Sequence, residues 1–347
     1  MSTGITRVAV VGAGWWAEAH HIPSLATYRQ AELTAIIDRR VDHAAALARQ
    51  FNVPHRFASV DELIEAEVAE CAIVSTPHTT HHAIVKSILE AGMHVLVEKP
   101  ITTCTSHAVE LVELAEQRGL HLSVGYTYQF SPTASVVRDW VRSQLGDLVQ
   151  VTVEFSSRTG ALYAATVADD TSSAYSSVNG AGQGTTQLTH AMAALLWTTG
   201  EQVTDVAAIT SNRGLAVDVV DSALFTLSGG ASGVATSTGT IGKEVPMRHQ
   251  IRYIGEHGTV DHNLIGATAR LRLDTGEQRS IAPDHNLPAY PAQRPARAFI
   301  DLVTGSGENF GPPRPAAATV AFIDAMYRSA NEHSFVHVTQ IPKPDAL

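Results

Sequence analysis

The run Arg7-Val8-Ala9-Val10-Val11, passing straight into Gly12-Ala13-Gly14-Trp15-Trp16-Ala17, decides how this chain is read. A short β-branched run favours a strand, and the glycines then turn the chain into a helical stretch. Working outward, the same unit recurs. Leu33–Ile37 is a second apolar run closed by Asp38, and Asp42–Phe51 has helical spacing. Cys71–Ser75 ends at Thr76-Pro77, and His81–Ala91 reads as a helix stopped by Gly92. Val95–Val97 ends at Glu98-Lys99-Pro100. Ser106–Arg118 is an amphipathic helix with Gly119 past its end, and Leu122–Val124 is stopped by Gly125. Short apolar strands alternating with helices predict a parallel sheet covered on both faces.

Beyond residue 126 the texture changes. Val149–Phe155, Val203–Thr210, Ala223–Ser228, Gly233–Thr238, His249–Ile254 and Ala269–Leu273 read as strands, several alternating apolar with polar and separated by turn residues. They predict one large, mostly antiparallel sheet. Helices are expected over Thr186–Thr198, Ala296–Val303 and Ala316–Asn331, with Gly305–Pro315 as a loop. A length of 347 residues fits about two domains. The expectation is α/β: residues 1–125 form a doubly wound parallel sheet, and residues 126–347 an α+β domain whose helix 316–331 packs back toward the first.

Composition narrows the function classes. Hydrophobic residues make up 44% and charged residues 17%, so the chain can bury a large core and is not a disordered or low-complexity scaffold. The net charge of −10, with no concentration of Lys and Arg, argues against a nucleic-acid or anionic membrane surface. No apolar run reaches the roughly 18 residues of a membrane helix. Cys71 and Cys104 cannot make a disulfide framework, and the N-terminus lacks a leader pattern, so a cytoplasmic setting is expected.

Three segments carry chemistry. In Gly12-x-Gly14-x-x-Ala17 the first glycine permits the tight turn, the second lets backbone approach a pyrophosphate, and the small third residue packs helix on strand. Asp38 ends the next strand, 21 residues after Ala17, where an acid bonds the adenosine ribose. A carboxylate there favours NAD over NADP; Arg39 and Arg40, which follow at once, soften that preference and leave NADP open. Trp15 and Trp16 are expected to cover the pyrophosphate region. The second segment is Glu98-Lys99-Pro100, at the carboxyl end of a parallel strand, where ligands of such sheets bind. A lysine there exchanges a proton if burial lowers its pKa, and a cis bond at Pro100 would aim it. The plain alternative is a surface lysine at a loop entrance. The third is Gly182-Gln183-Gly184-Thr185-Thr186-Gln187-Leu188-Thr189-His190, a glycine-rich loop entering a helix. His190 is a candidate to share a proton with a substrate hydroxyl, with Thr186 one turn earlier on the same face. A helix histidine is otherwise more often structural.

Together these segments resemble the Gfo/Idh/MocA family of nicotinamide-dependent oxidoreductases. The likeness runs through Ser75-Thr76-Pro77-His78-x-x-His81, Glu90–Pro100 as its most specific part, Val124-Gly125-Tyr126, the loop to His190, and Ala325-Met326-Tyr327-Arg328-Ser329-Ala330. The resemblance implies a Rossmann domain, hydride transfer at a carbinol carbon of a sugar, inositol or related polyol, Lys99 as general acid/base and His190 as its substrate-side partner. It further implies that Ser75, Thr76, Pro77, His78, His81 and Glu98 border the cofactor, and that a homodimer or homotetramer forms through the second sheet. Three positions depart from the family pattern: Thr186 replaces an Asp, Gln129 an Arg and His78 an Asn. The first two point to an unusual substrate pocket. Tyr126, Tyr128, Gln129, Tyr163 and Gln187 are candidates to line it, and ordinary packing is the alternative for the tyrosines. His78-x-x-His81 invites a metal reading, but no Cys or carboxylate cluster completes a site, and no metal is expected. The competing functions are a redox-neutral NAD-dependent glycosidase and a non-catalytic dinucleotide sensor.

Overall fold

The apolar runs of the first third assemble into a six-stranded parallel sheet. In this computed structural model, residues 4–167, 169–284 and 288–342 are described. The strands are β1 (Thr6–Val11), β2 (Ala31–Ile37), β3 (His55–Phe57), β4 (Cys71–Val74), β5 (His94–Val97) and β6 (Leu122–Val124), in spatial order β3-β2-β1-β4-β5-β6. This is the doubly wound order, with its crevice at the carboxyl ends of β1 and β4 where the strand order reverses. Val8, Ala9 and Val10 of β1 and Cys71, Ala72, Ile73 and Val74 of β4 are fully buried, because helices cover both faces. Burial of each Val or Ile contributes roughly 1.5–3 kcal/mol.

The chain divides into two compact units, the first comprising residues up to 102, 106–130 and 292–313. The expected boundary at 126 therefore lies at 131, and a late segment returns to the first unit. Two contacts account for the return. The helix Arg294–Val303 buries Phe299 and Ile300 in the cluster that also holds Ile22, Leu25 and Leu33. The segment after it closes the open edge of β6: the Val124 amide donates to Gly311 O at 2.8 Å, and Asn309 Nδ2 donates to Leu122 O at 2.9 Å. An unpaired edge is a liability that such cover removes.

The second unit is built on nine strands: β7 (Leu148–Ser156), β8 (Val203–Ser211), β9 (Val220–Leu227), β10 (Ser232–Thr238), β11 (His249–Gly255), β12 (Gly258–Asn263), β13 (Thr268–Leu273), β14 (Gln278–Ile281) and β15 (Val336–His337). Their order is β14-β13-β12-β11-β7-β10-β9-β8-β15, antiparallel except for the β7–β10 pair. The inner face carries Val151, Val153, Phe155, Ala223, Phe225, Ala235, Ile251 and Tyr253, all buried. The helix Thr189–Thr199 is buried on every face from Thr189 to Thr198. The helix Pro313–Glu332 packs on the same unit, with Phe322 edge-on to Phe225 at 5.7 Å between ring centroids and Ser329 Oγ accepting from the Ala208 amide. It begins at Pro313, earlier than the composition of Gly305–Pro315 predicts. Among the described residues, no helix is long and apolar enough to cross a membrane.

Candidate active site

In the first unit the glycine turn is locked before any ligand arrives. Gly12 sits at φ +89°, and a Cβ there would lie 2.4 Å from the Ser75 carbonyl oxygen and 2.7 Å from Thr76 Cγ2. Only glycine fits between β1 and the Ser75-Thr76-Pro77 turn. At Gly14 the opposite holds: a Cβ would meet nothing within 4 Å, so the backbone faces open space. Between them the Ala13 peptide is clamped on both sides. Its amide donates to Asp38 Oδ2 at 2.9 Å, and its carbonyl accepts from His43 Nε2 at 2.8 Å and Arg40 Nη2 at 3.3 Å.

Asp38 stands at the end of β2 as expected. Burial pushes its carboxyl upward, but hydrogen bonds from the Arg40 side chain and backbone and from Ala13 overcome this and hold it below the usual carboxylate range. The Arg40 amide lies 2.8 Å and its Nε 3.1 Å from Asp38 Oδ1. Arg40, not Arg39, is thus the residue that answers the acid. His43 is a further member of this cradle that the motif did not reveal; it sits one helical turn past Arg39. The open backbone at Gly14 and an ionised acid at the end of β2 are the features a dinucleotide's pyrophosphate and ribose require.

After the turn the backbone widens into a π-helical turn over Ala17–His21 before the short helix Ile22–Ala26. Its consequence is local and chemical. Trp16 Nε1 donates to Glu98 Oε1 at 2.8 Å, and His21 Nε2 meets the same oxygen at 2.8 Å. Trp16 is therefore a clamp on Glu98, and Trp15 is the exposed one of the pair, at 71% of its surface. Burial raises the Glu98 carboxyl, but His21, Lys99 and Trp16 outweigh it and keep it ionised. Glu98 also accounts for Gly125, since a Cβ there would lie 2.8 Å from Glu98 Oε1.

Lys99 follows at the carboxyl end of β5, partly buried, and its bond to Pro100 is cis. Desolvation lowers its pKa and the Glu98 charge raises it, with a net value of about 8. A lysine near pH 8 carries both protonation states at working pH, as an acid/base group must. His78 is buried on a 3-10 turn, and burial, then the charges of Lys99 and His81, push its pKa well down, so it is neutral. His81 is fully buried and both its nitrogens are engaged: Nδ1 lies 2.8 Å from Pro100 O and Nε2 2.9 Å from Thr76 O. It staples the ends of β4 and β5 together, so its ring is spent on backbone rather than presented to a cofactor. Tyr126, Tyr128 and Gln129, expected to line a substrate pocket, are buried in and before a 3-10 turn, Thr127–Phe130.

In the second unit the structure changes the reading of the glycine-rich loop. Gly184–Leu188 forms a π-helical turn, and the α-helix begins only at Thr189. Thr186 is buried; its hydroxyl donates to Gly182 O at 2.7 Å and pairs with the Tyr163 hydroxyl. The Thr186 hydroxyl is thus engaged inside the protein, with Gly182 and Tyr163. Burial drives the Tyr163 hydroxyl upward and keeps it neutral. His190 is 8% exposed, and its ring lies parallel to Phe155 at 6.3 Å between centroids; Phe155 in turn stacks on His249 at 3.7 Å. His249, unremarked in the sequence, is buried and held neutral, with its pKa lowered to about 4. Gln187 is partly buried on the π turn, whereas Gln183 is fully buried, accepting from Thr159 Oγ1 at 2.7 Å and donating to Ser237 Oγ at 2.9 Å. Among the described residues, no group of three or more His, Cys, Asp or Glu is arranged to hold a metal ion.

The sheet order, the turn at Gly12–Gly14 and the acid at Asp38 define a Rossmann domain of the dinucleotide-binding class. Residues 6–126 match the model of the Gfo/Idh/MocA oxidoreductase family, described by its NAD-binding Rossmann fold. Inositol 2-dehydrogenase of Corynebacterium glutamicum is 30% identical over 148 residues, 42% of this chain and 44% of that protein. The matched stretch spans less than half the length of the curated relatives, 40% and 39% in two others. Among solved structures, an oxidoreductase domain protein from Kribbella flavida superimposes with a TM-score of 0.85 at 18% identity, over 98% of this chain and 100% of that one. Levoglucosan dehydrogenase, solved with NADH and levoglucosan, gives 0.82 at 17% identity over 96% and 100%. At such identities the likeness is one of fold.

Proposed function

We propose that this protein is an NAD-dependent dehydrogenase of a sugar, anhydrosugar or cyclitol hydroxyl, with NADP as the weaker cofactor. The observation that carries the reading is Lys99: an amine near pH 8, beside an ionised Glu98 that Trp16 and His21 hold, at the carboxyl end of β5. When bound, NAD accepts the hydride at its nicotinamide C4. Neutral Lys99 takes the proton of the substrate hydroxyl as the carbon–hydrogen bond breaks; in the reverse direction the ammonium returns it. His190 hydrogen-bonds the substrate hydroxyl, and Thr186 with Tyr163 holds the turn that delivers His190. Gly14 faces the pyrophosphate and Asp38 takes the adenosine ribose. Relatives named as inositol and levoglucosan-type dehydrogenases support this substrate class.

The protein is proposed to act as a homodimer or homotetramer through the outer face of the nine-stranded sheet. That face leaves Ile209, Leu224 and Val234 exposed at 75%, 51% and 36%, with Leu224 and Val234 directly opposite each other in register. Contiguous apolar surface of this kind is normally covered. Among the described residues neither Cys71 nor Cys104 forms a disulfide, which fits a reducing, cytoplasmic setting.

Nicotinamide absorbance with NAD or NADP and a panel of inositols, aldoses and anhydrosugars tests the assignment. Reduced cofactor should accumulate, faster with NAD. NAD binding without turnover on any of them would overturn it in favour of a redox-neutral or sensing role.

A further inference from the structure

The glycine-rich turn before His190 is held from behind by Asp218 and Tyr327, and a third side chain, Asp221, bears on Asp218. Asp218 Oδ2 accepts the Gly184 amide at 2.8 Å, and Asp218 Oδ1 accepts the Tyr327 hydroxyl at 3.0 Å. The Tyr327 oxygen in turn accepts the Thr185 amide at 3.2 Å. The third side chain, Asp221, is 1% exposed on the inner face of β9, and neither of its carboxyl oxygens meets a hydrogen-bond partner, so burial favours its neutral form. This packing explains the glycines. A Cβ at Gly182, whose φ is +149°, would lie 2.1 Å from Asp218 Oδ1, and one at Gly184 would lie 2.6 Å from Tyr327 Oη. The two glycines therefore admit an acid and a phenol to the backbone; they do not cradle a phosphate.

We infer that Asp218, Asp221 and Tyr327 form a protonation-dependent latch that positions the Gly182–Leu188 turn, and through it His190, for substrate. Two adjacent buried carboxylates cannot both ionise at low cost. The groups that bear on Asp221 are Asp218 and Tyr327; Asp218 is faced by Asp221, Tyr327 and, across the turn, Tyr163. All are acids, so nothing in this set compensates a second negative charge. With Asp221 neutral, no second charge opposes the Asp218 carboxylate, and Asp218 stays on Gly184 and Tyr327. Burial, and then the Asp218 charge, raise the Asp221 carboxyl to about 9. Above that pH repulsion drives Asp218 off the Gly184 amide and the turn loosens. Base reaches the latch through an open cleft of about 620 Å³, whose walls include Asp218, Tyr327, Thr210 and Asn212. The inference rests on His190 acting on substrate only for its catalytic consequence; the latch itself is a property of the turn.

The test is amide hydrogen exchange at Gly184 and Thr185, corrected for intrinsic rates, in the full-length protein between pH 7 and 10. Wild type should lose protection at Gly184 above about pH 9, whereas Asp221→Asn, which cannot acquire the charge, should keep it. Tyr327→Phe should speed exchange at Thr185 about tenfold at pH 7, the equivalent of one ordinary hydrogen bond. In parallel, the polyol KM of wild type should rise above pH 9 and that of Asp221→Asn stay flat, with the KM for NAD unchanged in both. Protection at Gly184 that is flat to pH 10 in wild type, or equally lost in Asp221→Asn, overturns the latch. So does unchanged Thr185 exchange in Tyr327→Phe, which remains available if Asp221→Asn does not fold. Protection that behaves as stated in a protein that turns over no polyol sustains the latch and overturns the dehydrogenase reading.

Discussion

Asp38→Ala should separate the two dinucleotides. In the wild type this carboxylate holds the Ala13 amide at 2.9 Å and the Arg40 amide at 2.8 Å. Removing it strands a partly buried N–H, a cost of about 1–3 kcal/mol to the protein without ligand. The Arg40 side chain is 62% exposed, so the lost ion pair adds less than about 1 kcal/mol. For NAD the substitution also removes a charged acceptor from the ribose hydroxyls, worth about 1.5–3 kcal/mol, or about 10- to 150-fold in Kd. For NADP the sign reverses: the carboxylate no longer repels the 2′-phosphate, and Arg40, released from Asp38, becomes its counter-charge. Calorimetric titration of both dinucleotides into wild type, Asp38→Ala and Asp38→Asn measures the ratio directly. Asp38→Asn keeps an acceptor for Ala13 and so separates loss of fold from loss of charge. Equal weakening of NAD and NADP, or unchanged NAD affinity, would refute the ribose role of Asp38.

The remaining predictions concern the proton, the frame and the assembly. In Glu98→Gln the charge that raises Lys99 is gone while burial still lowers it, so the limb of kcat/KM near pH 8 should move to lower pH; a limb that stays or moves upward contradicts the coupling. His81→Leu removes the ring that sits between Pro100 O and Thr76 O; burial keeps that ring neutral with a single N–H, so one carbonyl loses its donor, which should cost about 1–3 kcal/mol in denaturant unfolding, with NAD affinity falling only in proportion to the folded fraction. Leu224→Glu should convert a dimer or tetramer to a monomer in light scattering; a wild type already monomeric would refute the outer-face interface.

Legibility followed burial and periodicity. The strands of the first sheet are covered on both faces, so β1, β4 and β5 stand out as continuous apolar runs, whereas β3 (His55-Arg56-Phe57) lies at the edge with two of three residues exposed and carries no such signal. In the second sheet β7, β9 and β10 alternate and are readable, but β12, whose buried face carries His262, is not among the expected strands. The boundary was misplaced because the pairing of Gly311 with Val124 joins residues far apart in sequence, which no local pattern encodes. Of the candidate site, the placement of Gly12, Gly14, Asp38 and Lys99 at strand ends is legible from their spacing. The two π turns were not, since a one-residue widening of a helix leaves the apolar pattern almost unchanged. They are nevertheless what turns His21 onto Glu98 and Thr186 onto Tyr163. The Asp218–Tyr327 contact joins positions 109 apart and was likewise invisible.

The central claim is that Lys99 moves the hydroxyl proton, and Lys99→Met tests it most directly. Its folded pKa of about 8 lies below the ordinary lysine value of 10.5, so in wild type burial of the charge costs stability below pH 8, and that cost fades as pH rises toward 10.5. The variant should therefore unfold no earlier than wild type at pH 7, bind NAD by calorimetry with unchanged affinity, and show no reduction of NAD with the substrate that wild type oxidises. Turnover at the wild-type rate in a folded, NAD-binding Lys99→Met protein would contradict the account.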